Sequence, residues 1–329
     1  MPRREAQLRQ WLGECCGLEG YGFAPASADA SFRRYFRIDL GEEGTRVVMD
    51  APPDKEDCRP FVDVTRRLEL AGVHVPHIYA QDLGQGFLLL EDLGDRLYLG
   101  ELDTGNVDAL YGDAITALLA IQSGNPQGLP PYDRELLERE MRLFPEWLLG
   151  AHLGLELSRA ERQMLNDTFE RLVHNALEQP QVLVHRDYHS RNLLLCAQRS
   201  PGVIDYQDAV LGPVTYDLVS LLRDCYVAWP QERVDAWMND YAQRALTAGL
   251  IGRAEFDRVP LWFDLMGAQR HLKAAGIFAR LNHRDAKPGY LQDIPRTLGY
   301  ILSVAARRPE LAPLAGFIGE RVLPGLEAA

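Results

Sequence analysis

The sequence predicts an α+β fold of two lobes, a small β-rich one over residues 1–92 and a large, mainly helical one over residues 93–329. Three observations predict it. Strand-like runs crowd the first ninety-odd residues, and helical periodicity dominates from residue 107 onward. The later exception is a set of short apolar runs around a polar loop at 185–206. A chain of 329 residues can bury a core in each lobe.

Residues 4–16 read as an amphipathic helix with Leu8, Trp11 and Leu12 on one face. Residues 32–38 and 45–49 read as strands across the turn Gly41-Glu42-Glu43-Gly44. A helix over 58–70 ends at Gly72. The buried strand 87–90 is broken by Glu91-Asp92-Leu93-Gly94, which reads as the hinge. Residues 181–185 are apolar and β-rich. Leu193-Leu194-Leu195 and Val203-Ile204 form two short buried strands about the turn Ser200-Pro201-Gly202. There is no internal repeat, low-complexity tract or long linker.

Composition excludes several classes. No apolar run approaches a membrane span, and Met1-Pro2-Arg3-Arg4-Glu5 lacks the apolar core of a signal peptide. The five cysteines show no CxxC or disulfide-like spacing, as expected of a reducing cytoplasm. A net charge of -12 argues against nucleic acid as a partner. The expected location is cytoplasmic, with no membrane contact and no obligate protein partner.

The chemistry concentrates in Val184-His185-Arg186-Asp187-Tyr188-His189-Ser190-Arg191-Asn192, followed by Gly202-Val203-Ile204-Asp205-Tyr206. His-x-Asp-x4-Asn, a short hairpin and a second aspartate after two apolar residues suit phosphoryl transfer from a Mg2+-nucleotide to a hydroxyl. Asp187 is the expected general base. Asn192 and Asp205 supply two hard oxygen ligands for Mg2+, which takes few protein ligands beside the phosphates. A rival reading puts His185, Asp187 and His189 on one face of an extended strand as a zinc site, but it leaves Asn192 and Asp205 unused.

These residues, with Gly212-Pro213-Val214-Thr215-Tyr216-Asp217-Leu218, resemble the aminoglycoside phosphotransferase and choline kinase superfamily. With Met49-Asp50-Ala51-Pro52-Pro53 and Glu91-Asp92-Leu93-Gly94, the text is most similar to bacterial cell-wall-recycling sugar kinases. The resemblance implies a bilobal protein-kinase-like fold, ATP and Mg2+ as cofactors, and an amino-sugar substrate. It further implies the anomeric hydroxyl of N-acetylmuramate and N-acetylglucosamine as the acceptor; the alternatives are another small hydroxyl substrate (an aminoglycoside, choline, homoserine or another sugar) or a non-catalytic, pseudokinase-like ligand binder.

For the nucleotide, adenine is expected at the hinge backbone of Glu91 and Leu93, with Met49 lining the base pocket. There is no GxGxxG or GxxxxGK[ST]. In its place stands Ser27-Ala28-Asp29-Ala30-Ser31-Phe32-Arg33-Arg34, where Ser31 and one of the two arginines are candidates for the phosphates; the alternative is a plain hairpin with solvated arginines. The strand that carries the phosphate-binding lysine in kinases reads Val47-Val48-Met49-Asp50, without a lysine. The chain has three in all: Lys55, Lys273 and Lys287. The missing charge is therefore expected from Arg33, Arg34 or Lys55, and Asp50 itself would repel phosphate.

Asp217 is expected to cap a helix or brace the catalytic loop. His189 and Asp208 are candidate substrate contacts, with a plain turn residue the alternative for Asp208. Residues 261–284 read as a helix with an apolar face and an opposite face of Arg270, Lys273, Ile277, Arg280 and Arg284. Residues 270–308 hold eight Lys/Arg against two Asp/Glu, which suggests an anion nearby. Arg270, Arg280 and Arg284 are the acceptor candidates, the alternative being a solvated basic face.

Overall fold

The computed structural model describes residues 2–28 and 32–328. It divides into two compact units, Met1–Leu97 with Leu193–Asp208, and Tyr98–Asn192 with Ala209–Ala329.

Among the described residues the first unit holds a five-stranded antiparallel sheet. Its strands are β1 (Gly22–Ala28), β2 (Arg34–Asp39), β3 (Thr45–Asp50), β4 (Ile78–Asp82) and β5 (Phe87–Glu91), in the order β1-β2-β3-β5-β4. Helix α1 (Pro2–Cys16) lays Leu8, Trp11 and Leu12 on Phe36, Ile38, Val48, Phe87 and Leu89. The helix spacing of three and four meets the strand spacing of two, so each contributes one apolar stripe. Each such side chain is worth about 1.5–3 kcal/mol of burial. Gly86 has φ 72, and a Cβ there would stand 1.8 Å from the Ala51 carbonyl oxygen, so only glycine closes this turn.

Helix α2 (Arg59–Leu70) buries Phe61, Val62, Val64, Thr65 and Leu68. Thr65 Oγ1 lies 2.8 Å from the Tyr206 hydroxyl, and Phe61 packs on the Tyr206 ring. These contacts fix the chain just after Asp205.

The hairpin of β7 (Leu193–Leu194) and β8 (Gly202–Val203) belongs to this same unit. The expected division at 92/93 gave it to the second lobe. Its outer hydrogen-bonding groups decide otherwise: Leu195 N–H donates to the Arg96 carbonyl and Val203 N–H to the His74 carbonyl, both at 2.8 Å.

In the second unit, β6 (Gln181–Val184) pairs with β9 (Val210–Pro213). Around them lie α3 (Val107–Ser123), α4 (Arg134–Leu143) with its π-helical continuation Phe144–His152, α5 (Arg159–Leu177), α6 (Tyr216–Leu222), α7 (Gln231–Thr247), α8 (Val259–Asp285) and α9 (Ile294–Ala305). Helix α8 is the centre: α4, its π-helical continuation, α5, α6 and α9 all pack on it. Gly276 permits this, because a Cβ there would lie 2.3 Å from the Leu143 carbonyl carbon. Residues 262–273 are buried without exception. A solvated basic face on α8 is thereby ruled out at Arg270 and Lys273, which are only 5% and 7% exposed. No described helix is long and apolar enough to cross a membrane.

Candidate active site

Strand β6 delivers the chain from the core into a loop over 185–192, held by two buried carboxylates. Asp217, in the first turn of α6, accepts from His185 N–H at 2.6 Å and Arg186 N–H at 3.0 Å. Arg186 has φ 78, a costly conformation for a side chain of that size. The Asp217 bonds hold it there. Burial pushes the Asp217 carboxyl up to about 6, against the pull of His185 and of the two N–H donors. Asp224 accepts from Ser190 N–H at 2.9 Å and Ser190 Oγ at 2.5 Å. The Tyr188 hydroxyl, wholly buried, donates to the Ala114 carbonyl. The brace expected of Asp217 is present; that of Asp224 had no sequence signal.

Within the loop, Asp187 N–H donates to His185 Nδ1 at 3.2 Å, and Asn192 Nδ2 donates to the Asp187 carbonyl at 2.9 Å. Among the described residues no three His, Cys, Asp or Glu side chains gather as a metal site, so the zinc alternative has no geometric basis. The second bond fixes the sense of the Asn192 amide, whose oxygen is the ligand-competent end.

Burial raises the Asp187 carboxyl, but Lys273, His189, Arg270 and Arg186 outweigh it and hold the group below the usual carboxylate range. Lys273 and Arg270 flank the loop from α8, and Arg186 lies on the loop itself. Lys273 Nζ lies 3.1 Å from Glu140 Oε1 and 2.9 Å from the Tyr216 hydroxyl. Arg186 pairs with the same Glu140, and the Tyr132 hydroxyl donates to its other oxygen. Arg270 reaches Cys225 Sγ at 3.7 Å. Glu140 is 6% exposed, and Lys273 and Arg186 keep it ionised against the effect of burial.

Sequence reasoning flagged the basic face of α8 but not Lys273 as the cation beside Asp187, and it missed Glu140 altogether. Only the three-dimensional fold brings α4, α6, α8 and the loop together. Replacing Glu140 by Ala would remove the buried carboxylate that Lys273 and Arg186 share, so a loss of about 3–5 kcal/mol is expected in urea unfolding. The double change Glu140→Leu, Lys273→Met should recover part of it. A loss under about 1 kcal/mol for Glu140→Ala would show that the network carries little stability.

The other candidates fall out as follows. His189 packs its ring 5.3 Å from Tyr226 and acts on Asp187 through charge. Arg280 is half-buried, and among the described residues its Nε has no hydrogen-bond partner. Arg284 is exposed and paired with Asp285 at 2.9 Å. In the first unit, Asp208 is an exposed turn residue. Asp205 has φ 65, accepts from Gln207 Nε2 at 3.0 Å, and lies 3.7 Å from the Arg33 guanidinium.

Arg34 turns instead to Asp50, which also takes Arg4 at 2.6 Å. The buried Asp50 is thus doubly paired, which removes the expected repulsion of phosphate. Lys55 is exposed over the Phe32 ring. Met49 is buried on β3, opposite Tyr35 and Leu88. Glu91 accepts from His77 N–H at 3.3 Å, and the Leu93 carbonyl lies 3.7 Å from Cys196 Sγ. Ser31 lies outside the described residues.

A β-rich unit, a mainly helical unit and a braced His-x-Asp-x4-Asn loop define a protein-kinase-like phosphotransferase. The model of the phosphotransferase enzyme family matches residues 22–262, and the chain belongs to that family. It is a small-molecule kinase. It is 51% identical to a Pseudomonas aeruginosa protein named N-acetylmuramate/N-acetylglucosamine kinase, over 94% of this chain and 95% of that one. A Pseudomonas putida protein of the same name is 49% identical, over 97% and 98%. The crystal structure of aminoglycoside phosphotransferase APH(2'')-Ib, ADP-bound, superposes with a TM-score of 0.60 at 16% identity, over 90% of this chain and 97% of that one, a likeness of fold.

Proposed function

We propose that the protein transfers the γ-phosphoryl group of ATP to the anomeric hydroxyl of N-acetylmuramate and N-acetylglucosamine. The observation that carries this reading is near-50% identity, over almost the whole of both chains, to two kinases so named. The hydroxyl oxygen forms a bond to the γ-phosphorus while the bond to the bridging oxygen breaks, and ADP leaves with that electron pair. The hydroxyl proton passes to Asp187. The anomeric hydroxyl is the most acidic on a free sugar, so a carboxylate held ionised by its cationic neighbours suffices to orient it and take its proton.

Mg2+, when bound, neutralises charge developing on the phosphates. The donor set fits it: the amide oxygen of Asn192 and the Asp205 carboxylate are both hard oxygens. Arg33, beside Asp205, is proposed to supply the charge that a third-strand lysine supplies in other kinases, since Arg34 is committed to Asp50. Met49, Glu91 and Leu93 are proposed to receive the adenine.

The test is ADP release with N-acetylmuramate, N-acetylglucosamine, glucose, choline, homoserine and kanamycin at matched concentration. The two N-acetylated sugars are expected to give the fastest release. Turnover of kanamycin or choline with neither sugar active would overturn the acceptor assignment.

A further inference from the structure

The second unit carries a cleft of about 600 Å³ whose lining includes Arg191, Tyr226, Tyr290, Gln292, Asp293 and Arg296. That volume lies within the range of small-molecule sites. None of these side chains was singled out by the sequence as an acceptor contact.

Arg191 decides the chemistry of the cleft. It is half-buried, with its guanidinium 4.7 Å from the centre of the Tyr226 ring and 5.3 Å from that of Tyr290. Both rings are themselves fixed, Tyr226 against His189 and Tyr290 stacked on Phe278 of α8. Among the described residues no carboxylate lies within ion-pair distance of Arg191. The other cation of the cleft is already used: Arg296 Nη1 lies 2.7 Å from Asp293 Oδ1 and 2.7 Å from the Cys225 carbonyl. The Arg296–Asp293 pair is neutral in sum, so Arg191 leaves the lining with one uncompensated positive charge.

We infer that this cleft is the acceptor subsite and that Arg191 binds the lactyl carboxylate that distinguishes N-acetylmuramate from N-acetylglucosamine. The inference rests on the proposed function and names the group that reads its two substrates apart. The Arg191 guanidinium also hydrogen-bonds with Tyr226 and Tyr290, which hold it in place; a guanidinium has five N–H donors, so donors remain for a carboxylate. Arg191 follows Asp187 by four residues, so their backbones are at most about 14 Å apart. An amino sugar with its anomeric hydroxyl at Asp187, together with the two side chains, spans that reach. The Tyr226 and Tyr290 rings offer apolar surface to a pyranose, and the Asp293–Arg296 pair offers an acceptor and donors to its hydroxyl and acetamido groups.

The experiment compares kcat/KM for N-acetylmuramate, its methyl ester and N-acetylglucosamine in the wild-type protein and in Arg191→Met and Arg191→Lys. In the wild type the acid is expected to exceed its ester by about tenfold, the size of a charge-assisted hydrogen bond. Arg191→Met should lose about tenfold or more on the acid and about threefold or less on the ester and N-acetylglucosamine. Arg191→Lys should recover part of the loss on the acid. Equal losses on all three sugars would overturn the role of Arg191. So would a wild-type protein that turns over acid and ester equally, a result that does not depend on any variant folding. Turnover of either free sugar by the wild type supports the acceptor reading separately, and turnover of neither overturns both.

Discussion

Asp187→Asn is expected to lower kcat by about two to four powers of ten while ATP still binds, the range typical of a lost general base. The amide keeps the size of the carboxylate, so the loop braced by Asp217 and Asp224 should hold its shape. Binding of a fluorescent ATP analogue and thermal unfolding check the fold, and single-turnover kinetics check the chemistry. A folded variant with turnover within about threefold of the wild type would remove Asp187 from the mechanism.

The same site sets a pH signature. Burial raises the Asp187 carboxyl, but Lys273, His189, Arg270 and Arg186 bring it below its ordinary value. Activity is therefore present above that depressed pKa and lost as pH falls through it, which puts the acid limb of kcat/KM below the ordinary carboxylate range. Lys273→Met removes the first of these cations, so the limb should move to higher pH. An unmoved limb would mean that Lys273 does not act on the titrating group.

Asp205→Asn is expected to lower kcat by about three powers of ten, the equivalent of several kcal/mol of metal-borne charge stabilisation at ~1.4 kcal/mol per decade. Asn is the informative substitution because residue 205 has φ 65, a conformation that Asn tolerates and that strains Ala. The change removes the ligand charge without asking the backbone to move. Titration of Mg2+ in the presence of ATP should show weaker binding, with part of the activity regained at high Mg2+. Unchanged Mg2+ dependence would place the metal elsewhere.

The parts of the fold legible in the sequence are those where periodicity has one meaning. Leu8, Trp11 and Leu12 repeat at helix spacing, and Phe36 with Ile38 at strand spacing, so α1 and β2 follow from local pattern. Strands β1 and β9 had no such signal. Gly22–Ala28 is mostly small residues and proline, and Val210–Pro213 ends in Gly-Pro. Each is a strand because its neighbour, β2 or β6, supplies the hydrogen bonds.

The catalytic loop was legible for a different reason. Phosphoryl transfer needs a base and two oxygen ligands at set intervals, and the spacing of Asp187, Asn192 and Asp205 is what proposes them for those roles. The sequence by itself thus determined the reaction class, the order of strand-rich and helical regions, and the braced loop that Asp217 supports. The tertiary structure decided what faces what. It turned Arg34 to Asp50 and set Arg33 beside Asp205. It buried Lys273 and Arg270 against the loop, and left Arg191 between two tyrosines. Helical and strand periods fix which side chains share a face, but the partner across that face comes from elements distant in the chain, and burial rewards the pairing of charges such as Arg34 with Asp50 or Lys273 with Glu140.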